Sequence, residues 1–397
     1  MVQTQVYMDN HATTRVDPRV VEAMLPLFHE QYGNAGSTSH VFGWDAKEAV
    51  DKARESIARA IGAIPREVVF TSGATESNNL AIRGCAERTR RRGNHIITVA
   101  TEHKAILDPL AMLARQGFEV ELLPVQQAGD PLAGRLDVQR VADAIRDDTL
   151  LVSVMLANNE IGVIQPLAEI GAICKEQGVL LHCDATQAVG KIPVDVEQLH
   201  VDLLSFSAHK IYGPKGVGGL YVRRRSPQVR LTPQIDGGGQ EAGRRSGTLN
   251  VPGIVGLAVA IKLCLDEMDV ESMRLADLRD RLFAGLTAAI DQVTLNGPAL
   301  DQRDARLAGN LSCNFADVDG EALMMSMRDL CVSSGSACTS TNPEPSHVLR
   351  ALGLSDDLTR ASLRFGLGRF NTQDDVDFAI GLLAEAVHRL RSMSGHL

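Results

Sequence analysis

Polar side chains follow four apolar runs of this chain, at the points where predicted strands end. Asp184 comes directly after "VLLHC", and Lys210 lies just beyond the next run, "VDLLSF". His103 follows "HIITVA", and the turn "TSGATESNN" follows "EVVF". In open α/β sheets, ligands bind beyond the carboxyl ends of the strands. We therefore expect these residues to meet at one edge of a sheet.

A lysine and an aspartate at neighbouring strand ends are the pair that pyridoxal phosphate requires. The cofactor needs a lysine amine for its Schiff base and a carboxylate that keeps the pyridine nitrogen protonated, so that the ring accepts electrons. We therefore predict that Lys210 carries this cofactor and that Asp184 supports its ring. Two alternatives stay open: an ordinary solvated loop lysine at position 210, and Lys215 in "GPKG" as the reactive amine, although no strand directs it.

The turn "TSGATESNN" (71–79) places small residues and a glycine before a predicted helix. Free backbone N–H groups and the hydroxyls of Ser72 and Thr75 would lie at the positive helix end, which suits a phosphate. Ser207 and His209 are further candidates to hold the phosphate. Such turns also cap many helices without binding a ligand, and a lone histidine such as His103 is often structural.

The segment "CVSSGSACTSTNPEPSHVLRALG" (331–353) surrounds Cys338 with Ser, Gly, Ala, Thr and Pro. Such a composition neither buries itself nor forms a regular element, so we predict a mobile loop, about 331–345, that holds an exposed thiol. Cys174 and Cys264, in contrast, lie in apolar runs typical of structural cysteines. An incidental loop thiol is the alternative for Cys338.

Strand-like and helix-like segments alternate between about residues 66 and 223. Strands are predicted at "EVVF", "HIITVA", "LLVSVM", "VLLHC", "VDLLSF" and "GGLYVRR", with helices over 45–63 and 166–178. This alternation predicts an α/β fold with parallel strands between layers of helices. After Gly247 the pattern changes to a helix over about 252–290, strands near 309–315 and 362–365, and helices near 319–330 and 372–391. These segments predict a second, smaller α+β domain.

Composition narrows the functional classes. The net charge of -9 and the scattered arginines argue against a nucleic-acid partner. The longest apolar run, 254–261, stops at Lys262 and is too short to cross a membrane, and the first residues show no signal-peptide pattern. Seven cysteines without a C-x-x-C pair indicate reduced thiols rather than a disulfide framework or a zinc finger. We therefore expect a cytoplasmic protein with no membrane partner.

The chain closely resembles the cysteine desulfurases of the IscS/NifS type, in the class-V aminotransferase group of fold-type I pyridoxal-phosphate enzymes. The resemblance extends over almost the whole chain, and its motifs occur in the family's order. They are "HATTRVDPRV", "TSGATESNNLAI", "TEHKAILD", "NNEIGVIQPL", "DATQAVGKIPVD", "SFSAHKIYGPKGVGGLYVRR", "GGGQEAGRRSGTLN", "SSGSACTS" and "LRFGLGR".

The resemblance implies roles for individual residues. It makes Lys210 the Schiff-base lysine, Asp184 the pyridinium partner, and His103 the residue stacked on the ring and the acid/base partner of the thiol. Ligands of the ring and phosphate are implied at Ala74, Thr75, Asn159, Gln187, Ser207, Ala208, His209 and, reaching from a partner subunit, Thr248. Asn34 and Arg364 match substrate-binding positions, Arg364 as the fork that pairs with the carboxylate. Cys338 matches the sulfur acceptor, and whether it also ligates an iron–sulfur cluster transiently stays open.

The same resemblance implies the fold and the reaction. It predicts a large domain over 15–258 with a mainly parallel seven-stranded sheet, and a small domain from 1–14 and 259–397. The enzyme would remove sulfur from L-cysteine, leaving L-alanine and a persulfide on Cys338. Acceptor proteins would then take the sulfur for iron–sulfur cluster assembly or for thiolation of tRNA or cofactors. The partner-supplied Thr248 implies a homodimer.

Two positions depart from the family pattern. Ala35 replaces the usual proline of "GNP", a change that the backbone tolerates. The chain ends at "LRSMSGHL" without the extended tail that docks a cluster scaffold, so the resemblance does not identify the acceptor. A selenocysteine lyase or another class-V aminotransferase remains the alternative enzyme, and a sulfur-relay scaffold without activity is the alternative outside enzymes.

Overall fold

The computed structural model describes residues 5–225, 228–334 and 344–394. Cys338 and most of the predicted cysteine loop lie outside these ranges.

The strands belong to one large and two small sheets. They are β1 (Val6–Tyr7), β2 (Val68–Thr71), β3 (His95–Val99), β4 (Glu119–Leu123), β5 (Thr149–Ser153), β6 (Leu180–Asp184), β7 (Leu203–Ser207), β8 (Gly218–Val222), β9 (Val293–Leu295), β10 (Asn310–Phe315), β11 (Leu330–Cys331), β12 (Ser333–Ser334) and β13 (Ser362–Gly366).

Helices cover the faces of these sheets. They are α1 (Pro18–Met24), α2 (Pro26–His29), α3 (Val41–Ala60), α4 (Ala74–Thr89), α5 (Lys104–Arg115), α6 (Val138–Ala144), α7 (Leu167–Gln177), α8 (Val251–Ala289), α9 (Gly320–Ser326), α10 (His347–Ala351), α11 (Asp356–Arg360) and α12 (Gln373–Ser394). Short 3₁₀ turns occur at Pro65–Glu67, Ala208–Lys210 and Glu241–Gly243.

The central sheet has the order β2-β8-β7-β6-β5-β3-β4. All neighbouring strands from β7 to β4 pair in parallel, whereas β8 is antiparallel to both β2 and β7. The predicted α/β fold with a mainly parallel seven-stranded sheet is therefore confirmed.

Two details of the sheet were not predicted from sequence. The edge strand β4 is mostly exposed, so its sequence "EVELL" lacks the continuous apolar run of the inner strands. Strand β8 reverses direction because the connection 208–217 contains only a 3₁₀ turn, and a parallel return would need a long crossover.

Alternating side chains of the sheet pack into two separate cores. Val69 and Ile96 lie in one cluster of buried apolar residues, whereas their neighbours Phe70 and Ile97 lie in another. This separation arises because successive residues of a strand point to opposite faces. The sheet is therefore covered on both sides, as its continuous apolar strands require.

A third apolar cluster lies around the antiparallel sheet β12-β13-β10-β9. Helix α8 joins both regions: Leu257 and Ile261 pack with the central sheet, while Leu282 and Leu286 pack with the smaller one. The proposed domain boundary at 258/259 therefore falls inside one continuous helix, and the division remains a proposal. None of the helices in the described residues has the length and apolarity to cross a membrane.

Candidate functional site

Lys210 lies in the 3₁₀ turn that follows β7, at the carboxyl edge of the central sheet. Its Nζ donates hydrogen bonds to the carbonyl oxygens of His11 at 2.7 Å and Ala12 at 2.6 Å. Enclosure by protein and, to a smaller extent, the positive charge of Arg364 together lower the pKa of Lys210 to about 8. The amine therefore loses its proton, and becomes nucleophilic, closer to neutral pH than an ordinary lysine does.

Asp184 ends β6, the strand beside β7, and its carboxylate is almost completely buried. Oδ2 accepts a hydrogen bond from Asn78 Nδ2 at 2.8 Å, and Oδ1 accepts one from the backbone N–H of Thr186 at 2.9 Å. Asp184 and Lys210 line the same cavity, which has a volume of about 580 Å³. The structure thus brings together the two residues on which the sequence prediction depends.

The N-terminus of α4 forms one wall of this cavity. Gly73 precedes the helix with φ 152°, a conformation that favours glycine, and no side chain caps this helix end. The first N–H groups of α4 therefore carry the partial positive charge of the helix end toward the cavity. Ala74, Thr75 and Ser207 line the cavity beside them.

His209 also lines this cavity, with Nδ1 3.2 Å from Thr13 Oγ1. Loss of hydration and, to a smaller extent, the charges of Lys210 and Lys215 together lower its pKa to about 4. His209 is therefore neutral near pH 7 and presents a hydrogen-bonding ring rather than a charge to this cavity.

His103 is the N-cap residue of α5 and lines both the first cavity and a second one. Its Nδ1 accepts a hydrogen bond from the backbone N–H of Ala105 at 3.0 Å, which places the hydrogen of the neutral ring on Nε2. Loss of hydration lowers the pKa of His103, and the negative charge of Asp184 opposes this shift. The ring is therefore mainly neutral near pH 7, with Nε2 as its proton donor.

The second cavity, of about 420 Å³, shares His103, Asn159 and Lys210 with the first. Arg364 of β13 lines it and donates through Nη2 to Asp9 Oδ1 at 2.8 Å and Ser333 Oγ at 2.7 Å. The two cavities are thus contiguous at Lys210, and the Arg364 guanidinium lines the second one. This arrangement offers both an amine and a guanidinium to a small ligand that carries an amino group and a carboxylate.

Most of the other predicted site residues also line the first cavity: Asn159, Gln187 and the alternative amine Lys215, which is exposed. Ala208 is completely buried in the 3₁₀ turn beneath the site. Asn34 and Thr248, in contrast, are exposed on surface segments and do not line either cavity of this chain.

Sequence reasoning missed several residues that support the site. Glu102 is fully buried next to His103, and burial together with the charge of Asp184 raises its pKa well above the ordinary value. Asn78, which holds Asp184, lies inside the quoted turn motif, and Glu102 precedes a predicted residue. Both residues could have been found from their positions in these motifs. His11 contributes through its backbone carbonyl, which every residue type has, so its identity gave no signal.

Comparison with known proteins places the chain in a family. Residues 6–378 match the aminotransferase class-V family. The cysteine desulfurase IscS of Anaeromyxobacter dehalogenans (strain 2CP-C) is 58% identical over 389 residues, which cover 98% of this chain and 94% of that protein.

Solved structures agree with this assignment. One titled "NIFS-LIKE PROTEIN" superposes with a TM-score of 0.89 at 38% identity, covering 98% of this chain and 100% of the other. A second, "SspA in complex with cysteine", has a TM-score of 0.80 at 37% identity, and the match covers 93% of this chain and 100% of the other. Fold and site together define a fold-type I transferase. The chain belongs to the class-V aminotransferases and, among them, to the IscS/NifS type.

Proposed function

We propose that this chain is a pyridoxal-phosphate-dependent cysteine desulfurase. It converts L-cysteine and the thiol of Cys338 into L-alanine and a Cys338 persulfide, which is passed to acceptor proteins. The observation that carries the proposal is that Lys210 and Asp184, from adjacent strand ends, line one cavity that continues to Arg364. The relatives named IscS and the neighbour solved in complex with cysteine support the choice of substrate.

The residues of the first cavity fit the cofactor. Gly73 at the uncapped start of α4 leaves room and N–H donors for a phosphate, and Asp184 offers a buried carboxylate for a ring nitrogen. Buried oxygens without a hydrogen-bond partner among the described residues, Thr186 Oγ1 and Asn78 Oδ1, belong to residues that line this cavity. Bound there, pyridoxal phosphate would supply the electron sink that makes the substrate's Cα–H acidic.

Lys210 and Asp184 have complementary tasks in this reaction. Lys210 would hold the cofactor covalently through its amine and, when that amine is free, take the proton from the substrate's Cα. Its lowered pKa of about 8 makes the free amine an effective base near neutral pH. Asp184 would keep a proton on the ring nitrogen of the bound cofactor, and its hydrogen bonds from Asn78 and Thr186 hold the carboxylate in place.

Arg364 would bind the substrate carboxylate, since its guanidinium presents paired donors that match two carboxylate oxygens. Its present acceptors are Asp9, Ser333 and the backbone oxygen of Asn159. Its buried Nε has no hydrogen-bond partner among the described residues. A donor of this kind in an enclosed site favours an anionic ligand.

Sulfur transfer would take place between the two cavities. The Cys338 thiolate attacks the substrate sulfur, so that an S–S bond forms while the bond from sulfur to the substrate's Cβ breaks. The bonding electrons stay on the carbon side, which becomes L-alanine after protonation, so no external oxidant or reductant is required. His103, whose Nε2 carries the hydrogen, moves protons between the thiol and the substrate.

The proposal includes a homodimer. Four large apolar side chains, Phe28, Tyr32, Phe42 and Trp44, are exposed around the surface segment that carries Asn34. Exposed aromatic clusters of this kind typically mark protein interfaces. We propose that a second copy of the chain covers them, and that Thr248 reaches the active site of the partner in this dimer. We further propose a cytoplasmic location, which is consistent with the free thiols of the described cysteines.

The experiment is mass spectrometry of the purified enzyme after incubation with L-cysteine, combined with measurement of L-alanine. We expect one extra sulfur atom on Cys338 and accumulating alanine, with both lost in Cys338→Ala. Alanine formation by Cys338→Ala as fast as by the parent would instead favour a selenocysteine lyase or another class-V enzyme. No alanine from the cofactor-loaded parent would favour a relay scaffold without activity.

A further inference from the structure

Lys191 is a second amine behind the cofactor cavity to which the mechanism assigns no task. Its side chain is partly exposed, whereas the amine itself is enclosed by protein. Nζ donates a hydrogen bond to Gln187 Oε1 at 2.5 Å. Gln187 is buried and lines the first cavity, so Lys191 acts on the cavity through this amide.

The contacts of Gln187 determine which end of its amide is available to a ligand. Oε1 accepts from Lys191 and lies 3.2 Å from His11 Nδ1, while Nε2 donates to the carbonyl oxygen of His11 at 2.9 Å. An amide oxygen only accepts, so His11 Nδ1 must carry a hydrogen. Oε1 of Gln187 thus accepts hydrogen bonds from two donors, and the second N–H of its Nε2 is available to a ligand in the cavity.

The carbonyl oxygen of His11 links this network to the reactive amine. It accepts hydrogen bonds from both Gln187 Nε2 and Lys210 Nζ. A change in the orientation of the Gln187 amide would therefore alter the hydrogen bonding of Lys210, the residue proposed to hold the cofactor.

Electrostatics support a role beyond packing. Burial and, to a smaller extent, the charge of Lys210 lower the pKa of Lys191 to about 7, although Cys264 and Glu271 act in the opposite direction. The titratable and charged groups that face Lys191 are His11, His209, Lys210, Cys264, Glu271 and Arg364. Lys191 therefore changes its charge near neutral pH.

We propose that Lys191 is a positioning residue that orients Gln187 as a hydrogen-bond donor toward a ring oxygen of the bound cofactor. The inference rests on the proposed function for the identity of the cofactor. Without Lys191, the amide of Gln187 loses its strongest donor and can rotate so that its oxygen faces the cavity. An oxygen there would repel the phenolic oxygen of the ring.

The first test compares the affinity of apoenzyme variants for pyridoxal phosphate, measured by equilibrium dialysis. Lys191→Met removes the donor, and we expect roughly tenfold weaker binding, the scale of one hydrogen bond lost in a buried site. Lys191→Gln keeps an N–H donor and should recover part of the affinity. Lys175→Met, at an exposed position of α7, is the matched control and should bind like the parent.

A double-mutant cycle with Gln187→Leu separates positioning from a purely structural effect. Because Lys191 acts through Gln187, Lys191→Met should change the affinity less than about twofold in the Gln187→Leu background. The visible absorption of the cofactor-loaded enzyme should also titrate at a different pH in Lys191→Met. Parent-like affinity in Lys191→Met, or independent multiplicative losses in the cycle, would overturn the inference.

These outcomes are distinguishable from failure of the proposed function. A parent enzyme that binds the cofactor but forms no alanine contradicts the desulfurase proposal, while the affinities still decide the role of Lys191. An active parent with a Lys191→Met variant of unchanged affinity contradicts only the positioning role. If Lys191→Met does not fold, Lys191→Ala, which also lacks the donor, replaces it in both tests, and parent-like affinity or independent losses with Gln187→Leu would then overturn the inference.

Discussion

Arg364 Nη2 donates a hydrogen bond to Asp9 Oδ1 at 2.8 Å, across a separation of 355 residues in the chain. Strand β13 supplies the arginine, and the segment after β1 supplies the aspartate. Both side chains line the cavity that is contiguous with Lys210. A substrate carboxylate would therefore share or replace Asp9 as the acceptor of this guanidinium.

Arg364→Lys should weaken substrate binding while the charge is retained. A lysine ammonium cannot offer the paired donors of a guanidinium, so we expect KM for L-cysteine to rise about 10- to 100-fold, with a smaller effect on kcat. Steady-state kinetics of alanine formation measure both constants. Arg350→Lys, in a surface ion pair with Asp356, is the control and should leave KM unchanged. An unchanged KM in Arg364→Lys would contradict the proposal that Arg364 binds the substrate carboxylate.

Lys210→Ala and Lys215→Ala distinguish the two lysines that line the first cavity. Lys210 follows a strand and contacts His11 and Ala12, whereas Lys215 is exposed. We expect Lys210→Ala to lower the rate of alanine formation by about 100- to 10,000-fold, as for a lost general base, and to abolish covalent retention of the cofactor. Lys215→Ala should retain both properties. The opposite pattern would transfer the assignment to Lys215.

The pH dependence of cofactor capture should follow the Lys210 amine. Its pKa is lowered to about 8, so only above this pH is the amine mostly neutral and able to attack the cofactor aldehyde. The rate of recombination of apoenzyme with pyridoxal phosphate, followed by absorbance, should therefore rise with pH and level off above about pH 8.

Arg364→Gln tests the cause of this shift. The guanidinium lowers the pKa of Lys210, so its removal favours the protonated amine and should move the midpoint of the rate profile to higher pH. Arg364→Lys retains the charge and should keep the midpoint near that of the parent. A midpoint that falls, or stays unchanged, in Arg364→Gln would contradict the electrostatic coupling.

Glu102→Gln should stabilise the protein at alkaline pH. Burial and the charge of Asp184 raise the pKa of Glu102, and its Oε2 has no hydrogen-bond partner among the described residues. The folded state then binds a proton that the unfolded state has released, so stability falls as pH rises above the ordinary glutamate pKa. Glutamine resembles the neutral acid and removes this loss.

Thermal unfolding followed by circular dichroism at pH 5 and pH 8 measures the effect. We expect the melting temperature of Glu102→Gln to exceed that of the parent by about 2–4 °C at pH 8, with a smaller difference at pH 5. Glu176→Gln, on the exposed side of α7, should show no such pH-dependent difference. A variant that is less stable than the parent at pH 8 would mean that Glu102 is ionised in the folded protein.

Much of the site was predictable because local sequence places chemistry at strand ends. Asp184 and Lys210 follow successive apolar runs, and parallel neighbouring strands bring their carboxyl ends to one edge. The same logic predicted the mainly parallel sheet. The edge strand β4 and the reversed β8 were not predicted, because exposure at an edge and a short connection outweigh the apolar pattern.

The sequence by itself determined the residue types that can do this chemistry and the strands that carry them, since both depend on short-range patterns. Only the tertiary structure decided which distant groups surround them. The backbone carbonyl of His11 reaches Lys210 across 199 residues of the chain, and Arg364 meets Asp9 across 355 residues. Burial and charge from these partners lower the pKa of Lys210 and Lys191, and such environments arise only when the chain has folded.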